Sequence, residues 1–444
     1  MVHFWLSLVA IMVLFLFWKW RRPANFPPGP WALPIIGNFL QVDYRNPLAD
    51  LEKLANKYGN IYSIFLGNKL IVVLNGFQTV KEALVNRAAE FSDRPEDPVF
   101  LKVNKNKGCQ FDPTVVISNA VSNVISSILF SQRFDYNDNT FSRRLELIRE
   151  IASLIGGFWG EELVLFGDDY EVNVVNMGCG EDPASCKNVY FCLRLNRNPF
   201  YSFKALIAGC SGNQKWLEAL SVWLLQRKHD GSSFDEENLL ILMSDLFLAG
   251  TDTTATALRW ALLLMMIYPN VQEKCHKEIA SIVNGKEFAS YDDRLRMPYT
   301  QAVIHEILRF GNIAPLSVPH GVTKDVLFRG YTIPKGTRVM ADLNSVLQDE
   351  TQWKFPHEFN PVNFLNDSGE FVKQEAFLPF STGPRICLGE NLARMELFLF
   401  FTSLLNKYEL FWPEKSTAPN ITPMFGIVRS PYPFRVGLKN RRSS

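Results

Sequence analysis

One cysteine, Cys387, stands in the stretch "FLPFSTGPRICLGENLARMELFLFF" (Phe377 to Phe401), fenced by Gly383 and Gly389 and followed at once by helical spacing. Thiolate sulfur is a soft, electron-rich metal ligand, and free backbone N–H groups at a helix start favour its negative charge. Gly383 and Gly389 allow backbone to approach a flat, bulky group, Phe380 can pack on it, and Arg385 offers a cation to an acidic substituent. A haem meets all four requirements, with iron for the thiolate and propionates for the arginine. A bare cysteine is more often an inert buried side chain. The pattern Phe-x-x-Gly-x-Arg-x-Cys-x-Gly is what separates this one from that class.

Two further groups could do chemistry. In "AGTDTT" (Ala249 to Thr254), Gly250 weakens a helix by about 1 kcal/mol relative to Ala, and threonine hydroxyls can bond nearby carbonyls. A helix set to open there would hold a small ligand, with Asp252 and Thr253 as an acid and alcohol able to pass it protons. The plain alternative is a polar patch on an amphipathic helix. In "HEILRF", Glu306 and Arg309 lie three apart on one helix face, a spacing that usually means an exposed ion pair of small worth.

These residues need elements to carry them. Helical spacing runs over Asn46 to Gly59, Gln78 to Asn86, Ala120 to Phe134 and Phe141 to Ile155, and "NIYSIFLGNKLIVVLNG" reads as two strands turned at Gly67 and Asn68. After Ser233 one pattern of about thirty residues, about 45 Å of helix, carries Asp252 and Thr253 and stops at Pro269. Helices over Asn270 to Val283 and Pro298 to Phe310, short strands around Val326 to Val339, and a helix after Cys387 complete a chain that is mainly α with a small β part.

The composition, 47% hydrophobic and 20% charged over 444 residues, describes a folded chain with a large core. A formal charge of +1 provides no basic footprint, so no nucleic-acid partner is expected. Val2 to Trp18 is almost wholly apolar, and Lys19, Arg21 and Arg22 follow it. Charges after the run, without an Ala-x-Ala site, indicate an uncleaved transmembrane anchor over 1–22, with the basic flank and the following chain in the cytosol. "FPPGP" then reads as a stiff proline-rich hinge over 23–30, and 31–444 as one domain, since no linker or repeat divides it.

The anchor, "PPGP", "FSDRP", "FLAGTDTT", "HEILRF", "VPHGVTKD" and the cysteine loop, in this order and spacing, make the sequence resemble the cytochrome P450 superfamily, and within it the microsomal family 2 monooxygenases. The resemblance implies a fold with haem between a long central helix and the cysteine loop. It implies that Cys387 is the axial iron ligand, that Arg385 and His320 meet the haem edge with Phe380, Gly383 and Gly389 around it, and that Asp252 and Thr253 deliver protons to dioxygen. Glu306 and Arg309 become a structural pair locking their helix to "FNPVNFL", where Asn363 stands in place of the usual basic residue. Phe247, Ala249, Ile313, Ala314, Leu316, Val318 and Ile427 become the substrate pocket. The implied partners are a small apolar substrate (xenobiotic, fatty acid or steroid), an NADPH-dependent haemoprotein reductase with cytochrome b5 as a second donor, and the bilayer of the endoplasmic reticulum, with the catalytic domain facing the cytosol.

Two departures accompany the resemblance. Only Cys109 and Gln110 separate Gly108 from "FDPTVVISNAVSNVISSILF", so the helix whose Trp-x-x-x-Arg pair holds the propionates in the family is missing; Trp223 and Arg227 have the spacing in the wrong chain order. Residues 161–225, with Cys179, Cys186, Cys192 and Cys210, show no sustained period where the family has the roof of its pocket, and their spacings lack the pairs of a zinc site. The second expectation is therefore a catalytically impaired, anchored protein with weak or no haem binding, the product of a transcript with one segment skipped and another replaced.

Overall fold

The computed structural model describes residues 22–33, 36–43, 47–67, 69–93, 113–130, 133–135, 236–286, 288–413, 419–426 and 428–441. The expected anchor, apart from Arg22, lies outside them, as do the expected helix Phe141 to Ile155, the segment 161–225, Ile427 and the junction from Gly108 to Phe111. Among the described residues no helix is long and apolar enough to cross a membrane.

Helix α1 (Pro47–Tyr58) precedes an antiparallel hairpin, β1 (Ile61–Leu66) and β2 (Lys69–Leu74), in which Ile61 faces Leu74 and Leu66 faces Lys69. Gly67 turns it with φ +57°, a conformation open to glycine at little cost. The expected helix over Gln78 to Asn86 is α2 (Phe77–Lys81) running into a π-helical turn at Glu82–Asn86. Helix α3 (Pro113–Phe130) begins earlier than its periodicity suggests, with a proline tolerated in the first turn, where its missing N–H is no loss.

The long helix is α4 (Glu236–Ile267), continuous through "AGTDTT". The expected opening is absent: Thr253 Oγ1 donates to Ala249 O at 2.6 Å, a bond that local helical geometry accommodates. Gly250 serves packing instead, because a Cβ there would come within 2.8 Å of Ile125 Cδ1 on α3. Helices α5 (Pro269–Val283) and α6 (Pro298–Gly311) both start on proline and end at an asparagine in the left-handed conformation, Asn284 and Asn312.

Strands β3 (His320–Gly321) and β6 (Arg338–Ala341) join the first hairpin in a sheet of order β1-β2-β6-β3, with β2 and β6 parallel. Strands β4 (Val326–Phe328) and β5 (Tyr331–Ile333) form a separate hairpin, and α7 (Leu343–Leu347) follows β6. The last helix, α8 (Glu390–Lys407), leads into β7 (Tyr408–Phe411), which pairs with β10 (Gly437–Asn440), while β8 (Pro423–Met424) pairs with β9 (Ser430–Pro431). The core gathers α4, α5, α6 and α8 around Trp260, which is fully buried and donates Nε1–H to Arg429 O at 3.0 Å. Burial of such side chains, each worth about 1.5–3 kcal/mol, holds the helices together.

The proline-rich hinge lies against the domain. Ser63 of β1 donates to Pro28 O from its N–H and to Pro27 O from its hydroxyl, both at 2.7 Å, and Phe26 is buried in the main core. Gly29 is required by contact, since a Cβ there would overlap Ser63 O.

Candidate active site

Cys387 lies just before α8 in an exposed turn. Its backbone N–H donates to Phe380 O at 3.0 Å, which closes the loop. The N–H groups of Gly389 and Glu390 point at the sulfur and favour its charge, yet burial of the loop's flank pushes the thiol pKa up. The thiol is flanked by exposed apolar side chains, Ile386 and Leu388, the latter 84% exposed.

Gly383 has φ +79°, and a Cβ there would sit 1.9 Å from Leu84 O. Its need for glycine thus comes from the π-helical turn beneath it, a protein neighbour. At Gly389 the one atom within 4.0 Å of a virtual Cβ is Cys387 Sγ.

Arg385 and His320 converge on adjacent carbonyls. Arg385 Nε donates to Ser92 O and His320 Nδ1 donates to Phe91 O, each at 2.8 Å. His320 is buried and Arg385 exposed, and among the described residues the Arg385 Nη groups take no protein acceptor. The structure therefore brings Cys387, Phe380, Gly383, Gly389, Arg385 and His320 to one region around the Phe91–Ser92 edge.

Glu306 and Arg309 are fully buried, unlike the exposed pair that spacing alone suggests. Arg309 makes two bonds to Glu306, at 2.7 and 2.8 Å, and donates to the carbonyls of Leu347, Phe355, Pro356 and Glu358. Glu306 accepts from Asn360 N–H and from Asn363 Nδ2, whose amide also bonds Phe355 through both its ends. Asn363 is thus a full member of the network.

Asp252 and Thr253 are half-buried on α4. The expected pocket residues fall into separate packing groups. Phe247 packs with Ile125, Leu248 and Leu392; Ile313 belongs to the main core; Leu316 packs on the sheet cluster of Leu51 and Tyr62. Ala249 and Val318 are exposed, and Ala314 is half-buried. Ile427 lies outside the described residues.

Two features escaped sequence reasoning. Glu396 on α8 is buried, neither of its carboxylate oxygens has a hydrogen bond of normal geometry among the described residues, and burial pushes its pKa up to about 7, opposed by the nearby Thr254 hydroxyl. A lone acid inside "MELFLFF" is the signal that could have found it. His305, next to Glu306, meets Arg394 Nη1 at 2.7 Å, and nothing in its spacing indicates that partner.

The Cytochrome P450 family model matches residues 27–109 and 100–438. The chain belongs to the cytochrome P450 family. It is 36% identical to cytochrome P450 2K1 of Oncorhynchus mykiss over 478 residues, covering 92% of this chain and 91% of the relative. It is also 36% identical to cytochrome P450 2J2 of Homo sapiens over 502 residues (97% and 94%) and 35% identical to cytochrome P450 2F3 of Capra hircus over 491 (98% and 98%). The 502 positions aligned with the human P450 take up 97% of 444 residues, about 430, so about 70 of them have no residue opposite in this chain. The two stretches matched by the family model overlap at 100–109.

Membership in the P450 family implies a haem, and the donor set fits one. A soft, exposed thiol has two N–H groups behind it and apolar side chains beside it, with a guanidinium and an imidazole at one edge.

Proposed function

We propose that the chain is a membrane-anchored haem-thiolate monooxygenase that inserts one oxygen atom from O2 into an apolar organic substrate, using NADPH electrons passed on by a reductase at the endoplasmic reticulum. The observation that carries this reading is the cysteine loop: Cys387 exposed at the start of α8, with backbone N–H groups on its sulfur and Arg385 and His320 at one edge. Haem, when bound, supplies the redox chemistry and the activation of O2. Cys387 Sγ would hold it, Arg385 Nη would pair with a carboxylate at its edge, and His320, its Nδ1 bonded to Phe91 O, would stand at that same edge. Thr253 Oγ would pass a proton onward by exchanging its bond to Ala249 O, with Asp252 beside it as the acid. Phe247, Ala249, Ile313, Ala314, Leu316, Val318 and Ile427 would meet the substrate by likeness to the family. Electron donors, substrate class (xenobiotic, fatty acid or steroid) and anchoring through 1–22 follow from likeness to the family.

One observation favours a second reading, an impaired enzyme that retains haem weakly. The family match comes as two stretches that overlap at 100–109, and about 70 of the positions aligned with the human relative have no residue opposite in this chain; the sequence lacks the expected Trp-x-x-x-Arg helix at this same point. One experiment separates the two: the full chain is expressed with its anchor, its haem-to-protein ratio measured, and its reduced carbon monoxide difference spectrum recorded. A red-shifted Soret band at near-unit haem content supports the monooxygenase. A low ratio, or a band without the thiolate signature, supports the impaired protein.

A further inference from the structure

Arg394 lies one turn into α8 and is gripped by groups from three parts of the chain. Its Nε and Nη2 meet the Glu390 carboxylate at 2.9 and 2.8 Å. Its guanidinium carbon stands 5.1 Å from the centroid of the Phe380 ring and 5.3 Å from that of Phe377. Its Nη1 donates to His305 Nε2 at 2.7 Å.

The imidazole's protonation follows from its partners. Nδ1 of His305 faces Gln301 O at 2.7 Å, and a carbonyl only accepts, so Nδ1 carries the proton and Nε2 offers the lone pair that an arginine N–H needs. An imidazolium would set N–H against N–H. His305 is half-buried, and the rings of Phe364, Phe371 and Phe377 pack on its imidazole, with centroids 5.5, 4.5 and 5.0 Å away. Burial first, and then Arg394, push its pKa down to about 3, so this tautomer persists at neutral pH.

What Arg394 touches is the frame of the cysteine loop. Phe380 supplies the carbonyl that accepts Cys387 N–H, and Glu390 supplies one of the N–H groups aimed at the sulfur. We propose that His305 is a positioning residue for this loop: as the Nδ1–H tautomer it clamps Arg394, which holds Phe380 and Glu390 and so fixes the sulfur between them. The clamp also ties the loop to α6, one residue from the buried pair of Glu306 and Arg309. Its consequence for haem ligation rests on the monooxygenase reading above; the clamp itself does not.

The test compares the full, anchored chain with His305→Phe, which keeps an aromatic ring without an acceptor, and His305→Gln, whose amide oxygen can accept from Arg394. In the haem-loaded proteins, the rate at which the carbon monoxide complex loses its thiolate Soret position is expected to rise about tenfold or more in His305→Phe, as befits loss of a hydrogen bond to a charged group, and to stay near the parent rate in His305→Gln. Arg394→Lys, which keeps the charge and loses the fork, is the second variant should His305→Phe not fold, and it should behave as His305→Phe is expected to. A parent-like rate in His305→Phe or Arg394→Lys, or equal acceleration in His305→Phe and His305→Gln, overturns the proposal. A parent chain that takes up no haem would count against the monooxygenase reading. In that case the clamp is read from iodoacetamide alkylation of Cys387 followed by peptide mass spectrometry, expected to be about tenfold faster in His305→Phe than in the parent and in His305→Gln; equal rates there overturn it.

Discussion

Arg309 and Glu306, three residues apart on α6, form a fully buried two-point ion pair whose remaining N–H groups end on the carbonyls of Leu347, Phe355, Pro356 and Glu358. The pair joins α6 to the irregular chain leading to the short 3-10 helix at Pro361–Phe364 and from there toward the cysteine loop. Truncating one partner strands the other in the core, at a cost of about 3–5 kcal/mol. Glu306→Ala is therefore expected to lower stability by that order in urea unfolding followed by tryptophan fluorescence. Asn363→Ala should cost less, on the order of 1–3 kcal/mol, because the ion pair survives it.

Cys387→Ser should separate folding from ligation. The side chain is exposed and its backbone bond to Phe380 is unaffected, so unfolding of the haem-free chain should shift by no more than about 0.5 kcal/mol. The thiolate signature in the carbon monoxide difference spectrum should vanish completely. A large loss of stability would show that the thiol also packs the loop.

Gly383→Ala tests whether the loop rests on the π-helical turn. A methyl group would meet the Leu84 carbonyl at 1.9 Å, and φ +79° disfavours any L side chain by about 1–3 kcal/mol before that clash is counted. Haem content in the purified protein should fall severalfold. Gly389→Ala meets only the sulfur at 4.0 Å and is expected to fold normally, with any effect confined to the Soret band.

Glu396 should leave a mark on the pH dependence of stability. Its carboxyl titrates at about 7 in the folded chain, above an ordinary value of 4.5, because burial disfavours the ionised form. The folded state thus holds the extra proton between about 4.5 and 7. The neutral form's stability is complete below that window and is lost as pH rises through it, by at most on the order of 3 kcal/mol. Glu396→Gln should remove this slope. Unfolding midpoints at pH 5 and pH 8 check it: the difference between parent and variant should shift against the parent at the higher pH.

The local arrangement of the cysteine loop was legible because it depends on residue types at short spacing. A thiol before a helix start, glycines around it and an arginine two residues away are local facts, and the structure keeps them together. Helix ends were legible for the same reason at Pro269 and Pro298, where proline defines a first turn without its neighbours' help. Where local propensity competes with packing, the sequence misled. Gly250 looked like a place for α4 to open, and it is a place where α3 comes close. Gly383 looked like room for a cofactor, and its φ and its contact with Leu84 already require glycine.

The burial of Glu306 and Arg309 could not be read from their spacing, since an i,i+3 pair looks the same on a wet face and a dry one; only the carbonyls that α7 and the following chain bring to Arg309 decide it. The same holds for His305, whose partner is 89 residues away, and for Glu396, whose charge is decided by the apolar helices around it. What the sequence by itself determined is the cysteine loop and the helix that follows it, because covalent neighbours set them. Which polar groups are dry, and therefore strongly coupled, was decided by tertiary structure alone, because desolvation depends on everything packed around a group and on nothing it carries itself.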